Sequence, residues 1–350
     1  MTPEAVLAHL KRRLPHLAAV GEPVRLSGGY LNEVWRVRAA PKSVIVKHAP
    51  PYVAAVPEIP LDPGRLGVEA RALTALGEGG RLPGIATAAI RPPHPLDFDA
   101  SASILVMEDV GVCPDLGTWL RAGPHPMDEV VATGQRLGRF IGALHARSHA
   151  DPSLRTVFDN PAIQRTRLSV QYEAVGELCE KAGLMGAAML GRKAIAFGEG
   201  LQAPGQCVIM GDLWPPSVLV TPEGLRVIDW ELAHFGFAVQ DVAHLAAHLW
   251  MEAHRAPTPP LAAQARALWA HFLADYKAAL GPVRDTLFGA ETRREAALHF
   301  GAEVLMRAVG TFQAGYLYDS LPPDDPIVRD ALAVAEAHLR TPESVGTFYL

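Results

Sequence analysis

A change of pattern near residue 108 constrains the fold of this chain more than any other feature. Before it, short β-like runs such as "RLSGGYLNEVWRV", "KSVIVKHA" and "SASILVMEDVG" dominate, and one segment, "RLGVEARALTAL", has helical spacing. After it, apolar residues recur at helical spacing over long segments, as in "MDEVVATGQRLGRFIGALHARSH". Strands in one half and helices in the other are typical of α+β folds. We therefore expect an α+β protein with two lobes, a β-rich lobe over 1–108 and a mainly helical lobe over 109–350.

Each lobe has an expected content. The first should hold a five-stranded antiparallel sheet and one helix, because its β-like runs are short and follow one another closely. In the second, helices are expected at roughly 163–200, 239–253, 260–280 and 289–318. Two further β-like runs, "SVLV" and "LRVID", lie among these helices. The length of 350 residues exceeds the usual size of one domain, which agrees with two lobes.

Bulk composition excludes several classes of protein. Apolar residues make up 49% and charged residues 20%, which is a globular balance. The net charge of −5 argues against a nucleic-acid partner, because binding along a duplex needs a basic excess. The longest stretch without charged residues, 200–211, is too short to cross a bilayer, so we expect no membrane association. The opening "MTPEAVLAHLKRRLPHL" predicts an amphipathic helix and not a signal peptide.

Cysteine usage bears on the compartment. Cys113, Cys179 and Cys207 are odd in number and far apart, and they form no CxxC pair. This pattern argues against a disulfide framework and against a zinc site, and it predicts a reducing cytoplasm. A monomer and a homodimer both stay open.

One stretch, "VIMGDLWPPSVLVTPEGLRVIDWELAHFG" over 208–236, places three carboxylates and a hydroxyl around the two β-like runs. Asp212 follows an apolar run and a glycine, which presents its side chain at the end of a packed element. Ser217, Asp229 and Glu231 are oxygen ligands, and a few such ligands suit Mg²⁺ together with substrate phosphates. If the last two share a strand, positions i and i+2 put both carboxylates on one face. Ordinary turn-capping and strand-end roles stay open on spacing alone.

The chain order of other residues adds to this constellation. Phosphoryl transfer needs a glycine loop over the phosphates, a strand lysine held by a helix glutamate, a base for the acceptor hydroxyl, and metal ligands. The sequence offers these parts in that order: Gly28 and Gly29, Lys47, Glu69, Asp212, Ser217 and Asp229. Each match is weak alone, but the joint order is the one that a protein-kinase-like fold requires.

Along most of its length the chain resembles the aminoglycoside phosphotransferase-like superfamily of small-molecule kinases. Within it, the sequence most resembles the 5-methylthioribose kinases and the related fungal kinases of hydroxytryptamine alkaloids. The stretches that carry this resemblance, in order, are "LSGGYLNEVWRV", "VKHAPPYV", "VEARAL", "LVMEDVG", "MGDLWPPSVLV" and "VIDWELAHFGFAVQDVAHL". The resemblance implies a protein-kinase-like fold and the transfer of a phosphoryl group from ATP to a hydroxyl, with Mg²⁺ as cofactor.

The resemblance also implies roles for single residues. Asp212 would be the catalytic base, and Trp214 and Arg307 would contact the acceptor. The implied nucleotide contacts are Gly28, Gly29, Lys47, Glu69, Glu108, Asp109 and Val110, the last three forming the adenine hinge. The implied metal ligands are Ser217, Asp229 and Glu231.

Three positions depart from the superfamily pattern. Met210 stands where His is usual, and Ser217 stands where Asn is the commonest metal ligand. The arginine pair that holds the sugar in methylthioribose kinases is reduced here to Met306 and Arg307, which removes one planar cation. Trp214 in "DLW" favours the alkaloid-kinase side of the superfamily and offers a wall for an apolar or aromatic acceptor.

Alternative functions stay open from the sequence. One is an aminoglycoside or other antibiotic phosphotransferase, and another is a catalytically weak binding protein with the same fold. The departures at Met210 and Ser217 support the binding protein, whereas the retained lysine and acids support an active enzyme. His244 and His248, one helical turn apart, are expected to be satisfied core histidines and not metal ligands, because the HExxH glutamate is missing. His145 is expected to pack in a helix and to support the loop around Asp212.

Overall fold

The computed structural model describes residues 1–26, 31–54 and 56–343. The chain forms two compact units, one comprising Met1–Cys113 with Thr221–Ala233 and the other Pro114–Val220 with His234–Leu350. The predicted glycine turn at Gly28 and Gly29 lies outside the described residues. The assignment of separate functions to 1–108 and 109–350 stays a prediction.

Short strands occur in both units, and most of them lie in the first. The strands of the described residues are β1 (Ala18–Ala19), β2 (Val24–Arg25), β3 (Glu33–Val37), β4 (Ala39–Ala40), β5 (Val44–His48), β6 (Tyr52–Val53), β7 (Val56–Pro60), β8 (Ile90–Arg91), β9 (Pro95–Asp99), β10 (Ile104–Glu108), β11 (Cys207–Ile209), β12 (Val218–Thr221), β13 (Gly224–Val227) and β14 (His234–Gly236). Of these, β2, β3, β5, β10 and β9 form one five-stranded sheet in that order, and every pairing in it is antiparallel. The predicted five-stranded antiparallel sheet is confirmed.

Helices make up most of the second unit. The helices of the described residues are α1 (Pro3–Arg13), α2 (Arg65–Leu76), α3 (Leu116–Arg121), α4 (Met127–Ser148), α5 (Pro152–Val157), α6 (Pro161–Arg167), α7 (Val175–Lys181), α8 (Ala187–Gly200), α9 (Val239–His254), α10 (Pro259–Leu280), α11 (Arg284–Leu287), α12 (Ala290–Val309) and α13 (Pro326–Arg340). The first two belong to the first unit and the others to the second. The predicted α+β class, with a β-rich first region and a helical second one, is confirmed.

The central strand β5 separates a core face from a functional face. Val44 and Val46 join the apolar core that α1 closes with Val6 and Leu10. Since side chains alternate along a strand, Lys47 falls on the opposite face, where it is paired in register with residues of β3 and β10. Lys47 therefore lies on the central strand, between β3 and β10, on the face away from that core.

The segment 221–233 joins the first unit through its own hydrogen bonds. Strand β13 pairs in parallel with β8, with Leu225 opposite Ile90. A short 3-10 turn, Trp230–Leu232, follows it and packs against α2. This return of the chain brings Asp229 into the same unit as Lys47.

The helix predictions need correction at several places, and the first unit holds two helices, α1 and α2, where a sheet with one helix was expected. The segment 163–200 is not one helix, because a π-helical turn (Leu168–Glu173) and a break at 182–186 interrupt it. The break contains Gly183 at φ 71°, a left-handed conformation that suits glycine. Helix α12 ends at Val309 and not at 318, since Gly310 is extended. Helices α3, α5, α11 and α13 were not predicted.

Candidate active site

Lys47 is the centre of an ion cluster in the first unit. Its Nζ lies 2.9 and 2.7 Å from the two carboxylate oxygens of Glu69 on α2. The same nitrogen lies 2.6 Å from Oδ1 of Asp229. Lys47 and Glu69 are both buried, whereas the side chain of Asp229 is 43% exposed. The structure thus brings together a strand lysine, a helix glutamate and a loop aspartate.

The charged groups of this cluster shift one another's pKa values. Burial alone would lower the pKa of Lys47, but the carboxylates of Asp229, Glu69 and Glu231 outweigh it and raise that pKa. Burial raises the pKa of Glu69, against the opposing effect of the Lys47 charge. Lys47 therefore stays a cation at neutral pH, which a phosphate-binding group must be.

Asp229 does not lie on a strand. Strand β13 ends at Val227, and Asp229 takes a left-handed conformation with φ 63° before the 3-10 turn begins. The expectation that Asp229 and Glu231 converge from one face of a strand is therefore wrong. A non-glycine residue in this conformation is uncommon, and such backbone strain concentrates at functional sites.

Glu231 is held by partners that sequence reasoning did not identify. Asn32 Nδ2 donates to both of its carboxylate oxygens at 2.9 Å, and Arg65 Nε donates to Oε2 at 3.0 Å. Glu231 is buried, and burial raises its pKa, while the Lys47 and Arg65 charges oppose that shift. Asn32 lies in the quoted motif "LSGGYLNEVWRV", so the signal was present, but nothing in the motif shows where the amide points.

The predicted adenine hinge begins at the end of β10. The Glu108 carboxylate receives Arg91 Nη1 and Nη2 at 2.6 and 2.8 Å, and the His94 backbone N–H at 3.1 Å. Burial would raise the pKa of Glu108, but these donors lower it to about 2.

The next two hinge residues differ in their contacts. Asp109 pairs with Arg36 at 2.9 Å and accepts the Gly111 N–H at 2.9 Å. Val110 is partly exposed. The carboxylates of Glu108 and Asp109 thus hold this segment in place through ion pairs and hydrogen bonds. The hinge role of all three residues stays a prediction.

In the second unit, a buried carboxylate shapes the loop that carries Asp212. Asp241, near the start of α9, accepts the backbone N–H groups of Met210 and Gly211, each at 2.8 Å. His145 Nε2 lies 3.1 Å from the same carboxylate, so its predicted support of the loop acts through Asp241. Gly211 has φ 83°, which a residue with a side chain rarely adopts. Sequence reasoning missed Asp241 because its helix position alone resembles an ordinary first-turn acid.

Asp212 itself contacts two basic side chains. Its Oδ1 lies 3.3 Å from His244 Nε2 and 3.4 Å from Arg167 Nη2. Burial would raise the pKa of Asp212, but His244, Arg167 and Arg307 together lower it below its ordinary value. Asp212 is therefore an ionised carboxylate at neutral pH.

Ser217 serves the backbone of the turn that follows Asp212. It is fully buried, and its Oγ donates to the Trp214 carbonyl at 2.8 Å. The Trp214 N–H approaches the same oxygen at 3.3 Å. Ser217 belongs to the second unit, whereas the other two predicted metal ligands belong to the first.

Arg307 is enclosed by aromatic rings. Its guanidinium carbon lies 4.6 Å from the Trp214 ring centre, 5.2 Å from Tyr316 and 5.4 Å from Phe312. Its Nε donates to Glu303 at 2.7 Å. The structure thus brings the two predicted acceptor residues, Trp214 and Arg307, into direct contact.

The two helix histidines lie beside this group. His248 bonds Glu303 at 3.0 Å and the Tyr316 hydroxyl at 2.8 Å, and burial lowers its pKa to about 3. The described residues include one group of three that could hold a metal ion, made of His244, His248 and Glu303, with ligand atoms within 4.8 Å of one another. None of the described helices combines the length and apolar character that crossing a membrane requires.

Comparison with known proteins places this geometry in context. The model of the phosphotransferase enzyme family, APH, matches residues 22–295. A 4-hydroxytryptamine kinase of Psilocybe cyanescens is 28% identical over 250 residues, which cover 67% of this chain and 69% of that protein. A methylthioribose kinase of Exiguobacterium sibiricum is 25% identical over 268 residues, covering 69% and 65% of the two chains.

Solved structures agree on the fold. Amicoumacin kinase hAmiN, in complex with AMP-PNP, Ca²⁺ and Ami, superposes with a TM-score of 0.58 at 12% identity, covering 97% of this chain and 93% of that chain. The GDP complex of an aminoglycoside 2′-phosphotransferase mutant gives a TM-score of 0.53 at 14% identity, covering 96% and 97%. These likenesses support the protein-kinase-like fold that the sequence predicts.

Proposed function

The chain belongs to the phosphotransferase enzyme family, and we propose that it transfers the γ-phosphoryl group of ATP to the hydroxyl of a small alcohol with an apolar or aromatic body. The reaction class itself follows from the family and from its kinase relatives: it is a small-molecule kinase that acts on an alcohol group, with ATP as donor. The observation that carries the residue assignment is the ion cluster of Lys47, Glu69 and Asp229.

On the donor side, Lys47 is the proposed phosphate contact. It is buried, charged and fixed by both oxygens of Glu69, so little side-chain entropy is lost when a phosphate oxygen binds. Gly28 and Gly29 are proposed to cover the phosphates, and Glu108, Asp109 and Val110 to contact the adenine.

The donor set of the first unit fits a divalent cation. The described residues of the cluster include three carboxyl groups, Glu69, Asp229 and Glu231, beside two basic groups, Lys47 and Arg65. Asp229 is the ligand that fits best, because its carboxylate is partly exposed and oxygen donors suit Mg²⁺. When bound, Mg²⁺ would neutralise phosphate charge.

Two further residues, Glu231 and Ser217, stay in the proposed ligand set on weaker grounds. Each would have to exchange bonds that it makes in the structure, to Asn32 and Arg65 in the first case and to the Trp214 backbone in the second. Asp229 is therefore the ligand whose replacement should affect Mg²⁺ binding most.

On the acceptor side, Asp212 is the proposed catalytic base. It is ionised and lies on a loop fixed by Asp241, which is what general-base catalysis requires. The acceptor O–H bond breaks as its proton passes to the Asp212 carboxylate. The acceptor oxygen forms a bond to the γ-phosphorus, the bond from that phosphorus to the bridging oxygen breaks, and ADP leaves.

The acceptor class is proposed from the residues around Arg307. Trp214 and Tyr316 offer ring faces, and Arg307 adds a cation for a hydroxyl or carboxylate. An aromatic alcohol such as a hydroxytryptamine fits this set better than a bare sugar does. Residues 251–350 hold 12 acids and nine bases, which gives a polycationic antibiotic little attraction.

A substrate panel tests the proposal. Mg²⁺-dependent ATP consumption is measured with hydroxytryptamines, methylthioribose, choline and aminoglycosides. The highest kcat/KM is expected for an aromatic alcohol, and Asp212→Asn should abolish transfer while keeping ATP and Mg²⁺ binding, as followed by calorimetry. Turnover confined to aminoglycosides would contradict the acceptor class, and wild-type turnover in Asp212→Asn would contradict the base. Binding of ATP without turnover on any acceptor would support the binding-protein alternative.

Location and partners remain parts of the proposal. A reducing cytoplasm is supported by the free thiols of Cys113, Cys179 and Cys207. Burial raises the pKa of the Cys207 thiol well above its ordinary value, so this thiol is unreactive at neutral pH. The net charge of −5 still argues against a nucleic-acid partner, and a monomer and a homodimer both stay open.

A further inference from the structure

A line of three buried side chains leads from Asp212 into the core of the second unit. His244 Nε2 lies 3.3 Å from Asp212 Oδ1, and His244 Nδ1 lies 3.2 Å from His299 Nε2. His299 Nδ1 in turn lies 2.7 Å from the Tyr172 hydroxyl. His244, His299 and Tyr172 are all at most 3% exposed. They come from α9, α12 and the π-helical turn, so only the folded unit assembles this line.

The hydrogen positions along this line can be assigned one after another, starting from Asp212. An ionised carboxylate only accepts, so His244 Nε2 must carry the proton that faces Asp212. Nδ1 of His244 is then the acceptor along this line, which requires His299 to donate from Nε2. His299 therefore accepts at Nδ1, and the Tyr172 hydroxyl must donate there. In this arrangement every donor points toward Asp212, and both imidazoles carry hydrogen on Nε2.

We propose that Tyr172, His299 and His244 form a positioning chain that holds a hydrogen-bond donor against Asp212 and keeps its carboxylate ionised and oriented. The inference rests on the proposed role of Asp212 as base. None of the three is a catalytic residue, because each acts through Asp212. The 3.3 Å contact is long and poorly aligned, as is common at catalytic groups before substrate binds.

The charged and titratable groups around the positioning chain agree with donation toward Asp212. Burial lowers the pKa of His299 well below its ordinary value, which keeps that ring neutral. The titratable or charged groups that face Asp212, His244 or His299 from the neighbouring elements are Arg167, His248, Glu303 and Arg307. Glu303 Oε2 lies 3.7 Å from His244 Nδ1, too far for a hydrogen bond that would draw the proton to that side.

A metal ion at His244, His248 and Glu303 is the competing interpretation. Glu303 accepts from Gln171 at 2.9 Å, from His248 at 3.0 Å and from Arg307 at 2.7 Å, so its oxygens are occupied by donors. The Arg307 cation beside Oε1 would also repel a metal ion. The positioning chain therefore explains the histidines better than a metal site does.

Nitrogen NMR of the full-length protein tests the tautomers without relying on activity. In ¹⁵N-histidine-labelled protein, two-bond correlations should show His244 and His299 neutral with hydrogen on Nε2. Tyr172→Phe, which keeps the ring but removes the hydroxyl donor, should shift the His299 signals. Hydrogen on Nδ1 of either residue would overturn the chain. Stoichiometric Co²⁺ binding that His248→Ala abolishes would overturn it in favour of the metal site.

The pH dependence of kcat/KM tests the effect on the base. His244→Asn loses the donor at the Nε2 position, so the pKa of Asp212 should rise. The acid limb of the kcat/KM profile should therefore shift to higher pH by about one unit. His244→Gln, whose longer side chain places an amide N–H near the Nε2 position, should restore most of that shift. The KM for ATP should stay unchanged in both variants.

The outcomes separate the chain from the proposed function. One possible result is that Asp212→Asn loses transfer while the acid limb of the pH profile does not shift in His244→Asn. That result would overturn the positioning chain and would still support Asp212 as the base. Wild-type transfer in Asp212→Asn would overturn the base itself. Equal defects in His244→Asn and His244→Gln would mean that the ring only fills space, and would also overturn the chain.

Discussion

Asn32 donates to both carboxylate oxygens of Glu231 at 2.9 Å, across 199 positions of the sequence. Arg65 adds a buried ion pair to the same carboxylate at 3.0 Å. The amide and the guanidinium together fix Glu231 between Asn32, which directly precedes β3, and Arg65, which begins α2. Glu231 therefore has a structural role in the first unit whether or not it binds a metal.

The first prediction separates the two acids that the sequence assigns to the metal. Glu231→Gln should lower the free energy of unfolding by about 2 kcal/mol, because the buried Arg65 loses its charged partner. Asp229→Asn should change it by less than about 1 kcal/mol, because Asp229 is partly exposed and Lys47 keeps Glu69. Urea unfolding without nucleotide or metal measures both. Equal losses of stability in the two variants would contradict the structural role.

The second prediction concerns pH and the carboxylate of Glu108. The pKa of Glu108 is lowered from 4.5 to about 2 in the folded chain, so its contribution to stability is present above about pH 4.5 and is lost as the pH falls toward 2. The difference in unfolding free energy between the wild type and Glu108→Gln should therefore shrink over that window. Urea midpoints at a series of pH values measure it. A difference that stays constant between pH 5 and pH 3 would show that Arg91 does not stabilise the charge.

The third prediction concerns the packing of α4 against α10. A methyl group added at Gly138 would lie 2.3 Å from the Phe272 carbonyl oxygen, so the two helices would have to separate. Gly138→Ala should lower the free energy of unfolding by about 2 kcal/mol or more. Gly200 ends α8 and has nothing within 4 Å of an added methyl group, so Gly200→Ala is the matched control and should be neutral or slightly stabilising. Similar midpoints for both variants would rule out the close approach.

Sequence reasoning identified what periodicity and residue type encode. The alternation in "KSVIVKHA" placed Lys47 on a strand, and the spacing in "RLGVEARALTAL" placed Glu69 on a helix with the bounds that the structure shows. Four of the five strands of the sheet followed from the same signals, whereas no run was assigned at β9. Local pattern was sufficient for these elements because their own side chains determine which face is buried.

Contacts between distant segments could not be predicted in this way. Asn32 with Glu231 and Asp241 with the Met210 backbone depend on how several elements pack, and each residue alone resembles an ordinary polar residue of a turn or helix. Asp229 and Glu231 were expected to share a face as positions i and i+2 of a strand, but the chain takes a left-handed conformation at Asp229. The three-ring enclosure of Arg307 likewise combines a loop, a helix and the segment after it.

The last prediction concerns Arg307 and the acceptor. Its guanidinium lies over Trp214 at 4.6 Å and is anchored to Glu303 through Nε. If it contacts the acceptor equally in the ground state and the transition state, Arg307→Ala should raise the acceptor KM about tenfold and leave kcat nearly unchanged. Arg307→Lys keeps the charge but loses the planar group that stacks on the ring, so an intermediate KM is expected.

Steady-state kinetics with the best acceptor of the panel measures both Arg307 variants, and the KM for ATP serves as the internal control. Because Glu303 would lose a buried charged partner in Arg307→Ala, the unfolding midpoint of each variant must be measured beside its kinetics. A rise in acceptor KM in a variant that stays folded at the assay temperature supports the contact. Unchanged acceptor kinetics in both variants would show that Arg307 holds Trp214 and Glu303 in place and does not touch the acceptor.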